Sequence, residues 1–425
     1  MTQTKHPGHT AGSRPSTPRA RLVSGRFALL LMSSFGALTS FYLLLSVTPM
    51  YAVSAGAGSA VAGVVTGSLM LSTVLAEFAS PRLMRRCGYR AVFAAGALLL
   101  GGPALALLTP PSVATIVAVS IARGIGFGLN TVVIGALVAT AVPPERRGEG
   151  IGLAGVVACV PAVVALPSGA WLAHNAGYPV VIVVTAVSAL APLVAVHRLS
   201  APAGRQTGAG PDQAEPAGLL ASLRSGGQLR PFLVFVAMTA PAGVVAAFLP
   251  LASGVSSNVA ALGLFTQAVT ATASRWWAGR HGDRHGHAGL LVPGLLTAAA
   301  GMMILIWLAA PAALIAGTFL FGIGFGISQN ATFALMIDRA PVQQYGTASA
   351  LWNLAYDAGS GAGPAVFGVV VGHTGYPVAF AFTGMLMLAA LIPAARDRTA
   401  SAHPPAAPAA VDYLAVPTGE QLAAS

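Results

Sequence analysis

Long apolar runs, broken by short polar stretches, set the pattern of this chain. A bilayer crossing needs about 20 mainly apolar residues, since each helical residue advances about 1.5 Å across roughly 30 Å of hydrocarbon. Runs of that length predict helices near 27–49, 59–80, 91–110, 112–141, 150–173 and 178–198. After a break they resume near 231–250, 257–276, 289–309, 311–339, 347–371 and 376–395. The runs do not alternate apolar with polar residues, which argues against a closed barrel of short strands. The first run is too long for a signal-peptide core and has no clear small-residue cleavage site, so it reads as a retained span. Residues 1–26, 200–229 and 396–425 are polar or rich in Ala, Gly and Pro, and are expected to form a disordered N-terminal tail, a central linker and a disordered C-terminal tail.

The pattern is written twice. GIGFG stands at 124–128 and at 322–326, and GYPV at 177–180 and at 375–378, both pairs 198 positions apart. Gly88 and Gly286, Gly148 and Gly346, and Pro81 and Gly279 keep the same offset. The expectation is an all-α membrane protein of twelve transmembrane helices in two pseudo-symmetric six-helix bundles, 27–199 and 230–395. Parallel repeats of this kind place a substrate site between them near the bilayer midplane.

Composition and charge sharpen this picture. The chain is 55% hydrophobic and only 8% charged, against about 25% charged in soluble domains. Of its 22 Lys and Arg residues, all but Arg123 lie outside the spans or at their edges, on one side of the twelve-crossing path. The opposite loops, near 50–58, 109–111, 174–177, 251–256, 310 and 372–375, carry none. This is a strong positive-inside pattern. It predicts a multi-pass protein of the cell (inner or plasma) membrane with both termini cytoplasmic, and it explains the net charge of +11 without any nucleic acid. Cys87 and Cys159 support neither a disulfide nor a cysteine metal site.

At this point the residues reach a family. GRHGDRHG, residues 279–286, resembles the G-x-x-x-D-R-x-G loop signature of the major facilitator superfamily, with Gly279, Asp283, Arg284 and Gly286 at the signature positions. The first-half stretch PRLMRRCG keeps Leu83, Arg86 and Gly88. ARGIGFG in the fourth span and GAGPAVFG in the eleventh resemble two further family signatures. The chain departs from the pattern in three places. Arg85 stands where the family has Asp, which moves the expected cytoplasmic latch to Asp283 against Arg146 or Arg147. Ser120 occupies the aligned arginine position of the fourth span, with Arg123 three residues on. The Gly-Pro antiporter signature is kept at Gly363 and Pro364 but replaced by Ala165 and Leu166 in the fifth span.

The resemblance is to the twelve-helix drug or metabolite–proton antiporters. It implies secondary active transport by alternating access, with proton-coupled efflux of a small organic molecule, a drug or secondary metabolite. It implies no enzymatic chemistry and no cofactor. The expected partners are the lipid bilayer, a small organic substrate and protons, with the chain acting as a monomer. A proton-linked importer of a sugar, carboxylate or peptide is the alternative within transport. A membrane sensor or lipid scramblase is the alternative outside it.

Several residues could carry the chemistry. Arg123 lies about 17 Å below the outer end of its span, at a depth that costs at least about 2.5–3.5 kcal/mol. It needs either a substrate or counter-charge in a cavity or a set of backbone carbonyls. Asn130 shares its face. Asp357 lies about 15 Å from the inner face, and Ser349, Asn353, Asp357 and Ser360 draw a polar stripe along the eleventh span, flanked by Trp352 and Tyr356. A carboxyl group there could load and release a proton, with Arg123 as its paired charge, or it could only set helix contacts. Ser328, Gln329 and Asn330 in the tenth span add polar atoms opposite Arg123. Glu77, whose repeat mate is Arg275, and Asp338, beside Arg339, read as cytoplasmic gate or rim charges. HGDRHGH, residues 281–287, could in an extended loop bring four ligands to one metal, but the loop signature already accounts for its core and no cysteine assists. The GIGFG glycines follow no strand and precede no Lys-Ser/Thr, so they fit close helix contacts rather than a phosphate loop.

Overall fold

The computed structural model describes residues 25–109, 112–141, 147–198, 223–224, 226–252, 254–341 and 344–402. The expected tails up to residue 24 and beyond 402, most of the expected linker, and Arg146 lie outside these residues, as does the side chain of Arg147. The described chain forms α1 (Gly25–Ser54), α2 (Ser59–Gly101), α3 (Val113–Ala141), α4 (Arg147–Asn175), α5 (Tyr178–Leu190), α6 (Gly226–Phe248), α7 (Ser257–His285), α8 (Leu291–Ile304), α9 (Pro311–Asp338), α10 (Tyr345–Thr374), α11 (Tyr376–Leu388) and α12 (Leu391–Ala402).

Nine helical stretches among the described residues are long and apolar enough to cross a bilayer. One of them, Ser59–Leu108, holds two spans. The shorter Tyr178–Val194 supplies the sixth, and α7, a 29-residue helix made less apolar by Asn258, Gln267 and its threonines, supplies the eighth. With these the twelve crossings are complete. The last crossing is α11 followed by α12, which runs past the expected end at 395, while α6 starts at Gly226, ahead of the expected 231.

The expected loop between the second and third spans is itself helical. The helix continues through Pro81 and turns at Gly88, where φ is 80° and ψ 159°. In the second half, α7 likewise runs on to His285 and turns at Gly286, φ 88°. A positive φ costs glycine nothing and other residues a good deal. Every positive-φ glycine among the described residues has a mate at the repeat offset: Gly56 with Gly254, Gly88 with Gly286, and Gly177 with Gly375. The sequence repeat is therefore a repeat of backbone geometry.

GIGFG explains itself in the same way. A Cβ on Gly124 would run into the Leu69 carbonyl and Ser72 of α2, and one on Gly322 into Gln267 and Thr270 of α7. Gly126 lies against Gly96 and Leu100, and Gly324 against Gly294 and Ala298. Gly128 lies against Thr73 and Ala76, and Gly326 against Ala271 and Ser274. Each partner in the first half maps onto its counterpart in the second. The motif seats the centre of each bundle by letting three helices approach to backbone contact, as small residues do in membranes.

Arg123 belongs to this architecture. It is 1% exposed. One guanidinium nitrogen donates to the Leu100 carbonyl at 2.7 Å and another to the Ser40 carbonyl at 2.8 Å. Hydrogen bonds from a charged donor are worth about 1.5–3 kcal/mol each, enough to offset the insertion cost. No ion pair joins Arg123 to Asp357 among the described residues. The expected charge pair does not form, because Arg123 spends its donors on carbonyls of α1 and α2 within its own bundle.

Two predictions follow from these contacts. Arg123→Lys keeps the buried charge but loses the planar fork that reaches both carbonyls. It should lower stability by about 1.5–3 kcal/mol in thermal unfolding of the purified protein while leaving ligand affinity unchanged; the reverse pattern would return Arg123 to the substrate path. Gly126→Val and Gly324→Val should each cost about 1–3 kcal/mol by overpacking. Gly135→Val, where a side chain meets open space, should have little effect in the same assay.

Candidate functional site

The two halves meet along α2 and α10. At the end away from the chain termini the seam is close. The Ser59 hydroxyl donates to the Gly368 carbonyl at 2.9 Å. Gly63 abuts the Pro364 carbonyl, Gly67 lies against Ala365, and Gly361 lies against Met70. The helices run antiparallel, so each step toward the terminal end of α2 meets an earlier residue of α10. That register carries Glu77 of α2 into the neighbourhood of Asp357 of α10, and the two carboxylates lie within electrostatic reach of each other. Gly128 of α3 borders the Glu77 Cγ. Glu77, expected as a cytoplasmic gate or rim charge, is half-buried and lies near Asp357 of the other half.

Other side chains gather around this pair. The Tyr42 hydroxyl of α1 and the Tyr356 hydroxyl of α10 lie within electrostatic reach of each other, and Cys159 of α4 and Asp357 lie close to both. Arg275 of α7 lies within electrostatic reach of Tyr356. Glu77, Tyr42, Cys159, Arg275, Trp352 and Tyr356 are half-buried, and Asp357 is 6% exposed. The half-buried side chains keep part of their surface accessible, which makes the space they border between the two halves a candidate cleft.

One wall of the cleft is aromatic. Phe235 of α6 stacks on Trp352 with ring centres 4.5 Å apart and an interplanar angle of 16°. Phe333 of α9 meets the same indole edge-on at 5.3 Å. The indole Nε1 donates to the Thr332 hydroxyl at 3.2 Å, and the Arg275 guanidinium sits over the Trp352 ring at 5.9 Å. The cleft thus holds two acids, one base, two phenols and a braced indole. Two lateral grooves of about 520 and 620 Å³, on the flank formed by α4, α7 and α9, contain no ionisable side chain.

The polar residues read from the sequence divide into groups. Asp357, Tyr356 and Trp352 are in the cleft. Asn353 is exposed one turn away, and Ser349 is half-buried. Ser360 is buried, with its backbone against Gly243 of α6. Asn130 faces Gly96, and its repeat mate Ser328 faces Gly294, so both sit in contacts inside a bundle. Asn330 lies against Gly279 of α7, and Gln329 is half-buried. The sequence reading missed Tyr42, Cys159, Arg275, Phe235 and Phe333. Two signals were available: a tyrosine in mid-span, and an acid and a base at matching repeat positions.

At the terminal end the loop-signature residues lie on helix rather than in an extended loop. His281 and His285 stack at 4.4 Å, with Trp277 behind His281 at 4.9 Å, which spends these rings on one another instead of turning four ligands toward one ion. Asp283, whose side chain is 75% exposed, lies 3.7 Å from His287, and Asp338 lies 3.8 Å from the other nitrogen of the same ring. A protonated His287 would join α7 to α9. A Cβ on Gly282 would collide with that ring. Arg339 donates to Asp397 at 2.8 Å and to the Gly227 carbonyl at 3.0 Å, and Arg230 lies 3.8 Å from Asp397. These contacts tie the terminal ends of α6, α9 and α12. Arg85, Arg284 and Gly286 are exposed, and Gly88 makes the mirrored turn.

This architecture has known counterparts. The chain is similar to the nucleoside transporter NupG, with a TM-score of 0.70 at 12% identity over 89% of this chain and 100% of that one. It is similar to a D-xylose-proton symporter, with a TM-score of 0.69 at 18% identity over 87% and 97%. A bacterial homologue of the human lysosomal transporter Spinster gives 0.68 at 16% identity over 89% and 96%. At these identities the likeness is one of fold. No curated protein matches the chain in sequence. The family model described as Major Facilitator Superfamily matches residues 30–364 and 232–417. Twelve crossings in two mirrored bundles, a cleft between them and this match together make the chain a member of the major facilitator superfamily, a family of membrane transporters.

Proposed function

We propose that the protein is a proton-coupled exporter of a small organic molecule, working by alternating access around the cleft. The observation that carries this reading is the carboxylate pair Glu77 and Asp357, one from each half, near the hydroxyls of Tyr42 and Tyr356. A carboxylate in a water-poor site exchanges its proton as its surroundings change. Acids placed on opposite halves change surroundings whenever the halves rock. The same motion that opens the cleft to one side of the membrane can therefore load or discharge the proton. In this scheme Asp357, the more enclosed of the two, carries the coupled proton, and Glu77 senses whether it is present.

Export rests on the Gly363–Pro364 signature of α10. The arginine distribution supports cytoplasmic termini, residues 27–199 and 230–395 are taken as the two moving bundles, and one chain suffices as the working unit. The aromatic wall and the mixed charges suit an amphipathic molecule of the drug or secondary-metabolite class.

The test is flux in vesicles under an imposed pH gradient. Asp357→Asn should lower gradient-driven transport at least ~10-fold while equilibrium binding stays within ~3-fold. Unchanged coupling removes Asp357 from the mechanism. Substrate moving against the proton flow supports export; movement with it makes the protein a symporter.

A further inference from the structure

We propose that the end of the substrate recognised in the cleft is an organic cation, and that Arg275 occupies its place when the cleft is empty. This rests on the transport reading above and goes further by naming the chemistry of the ligand.

The argument starts from Trp352. Its ring is braced by the Phe235 stack, by Phe333 at its edge and by the hydrogen bond from Nε1 to Thr332. A parallel ring 4.5 Å away takes one face of the indole, so the guanidinium over the same ring takes the other. An indole face braced in this way is a cation platform.

The present occupant is weakly held. Arg275 makes no salt bridge or hydrogen bond among the described residues; its guanidinium lies over the indole and within electrostatic reach of Tyr356. An arginine within a span ordinarily gathers carbonyls or acids, as Arg123 does. Arg275 keeps its donors free and its guanidinium on a surface that any other cation could take.

The surrounding charges favour such an exchange. Glu77 and Asp357 lie near each other at this site and Arg275 lies within electrostatic reach of Tyr356, so a cation that takes the place of Arg275 conserves the charge of the site, where an anion would add to that of the acids. Glu77 is also the repeat mate of Arg275 at the 198-residue offset. The two halves thus present an acid and a base at matching places, and the base can swing aside when the guest arrives.

The experiment uses the full chain purified into nanodiscs, without a gradient, with benzylguanidinium, benzoate and benzyl alcohol as cationic, anionic and neutral probes. Benzylguanidinium should bind and benzoate should not. Arg275→Gln should tighten benzylguanidinium binding at least ~3-fold by removing the internal competitor, whereas Arg275→Lys should not. Trp352→Leu should weaken it ~10-fold, with Trp352→Phe intermediate. In the Trp352→Leu background Arg275→Gln should no longer tighten binding, which separates displacement from a field acting at a distance. Preference for benzoate, binding of neither charged probe, weaker binding in Arg275→Gln, or tightening that survives the loss of the indole overturns the proposal. Equilibrium binding needs no proton flux, so lost gradient-driven transport with these results intact counts against the coupling mechanism alone.

Discussion

Inside hydrocarbon no water is present to satisfy a backbone amide, and no hydrophobic force draws one helix to another. The first condition makes every crossing a helix. The second makes association depend on how closely helices can approach. Gly124, Gly126 and Gly128 in one half, and Gly322, Gly324 and Gly326 in the other, permit approach to backbone contact on two sides of one helix. Arg123 works to the same end with polar means, since its guanidinium joins the Ser40 and Leu100 carbonyls across three helices. Without these contacts α3 and α9 would have no fixed seat, and no residue of the cleft would have a fixed address.

The cleft is a product of register. Small residues set the spacing of α2 and α10 at one end, through Ser59, Gly63, Gly67, Gly361 and Gly368. Antiparallel counting from that seam brings together Glu77 and Asp357, which the sequence separates by most of the chain. Tyr42 enters from α1, and Arg275 and Phe235 from α7 and α6, each carried by a helix that belongs to one half and faces the other.

Much of the architecture was legible in the sequence because its causes are local or periodic. Apolar run length gives the crossings, and identical phrases at one offset give the duplication, down to the paired turns at Gly88 and Gly286. The site was legible only in part. The depth of Arg123 says that it needs partners. It cannot say that they are carbonyls, because every residue has a carbonyl and Ser40 and Leu100 carry no distinguishing mark. Glu77 near the end of an apolar run looks like a rim residue until the pitch of α2 against α10 is known. Arg275 was noted only as its repeat mate, and its indole partner is a tertiary fact. Where the sequence was read as an extended loop at 281–287, helix propagation went further than expected, passing Gly279 and Gly282 and stopping at Gly286, where φ is positive.

The seam near Ser59 and Gly368 carries no ionisable side chain among the described contacts, being made of glycine backbone, Pro364, Ala365, a methionine side chain and one hydroxyl. The opposite end carries exposed acids on either side of His287. Parting the first means giving up dispersion contacts, which ionic strength hardly affects. The contacts around His287 join α7 to α9 within the second half, so the halves can part there without breaking them. The two extremes of the molecule are therefore held in different ways: one end joins the halves by backbone approach, while the charges at the other brace a single half against itself.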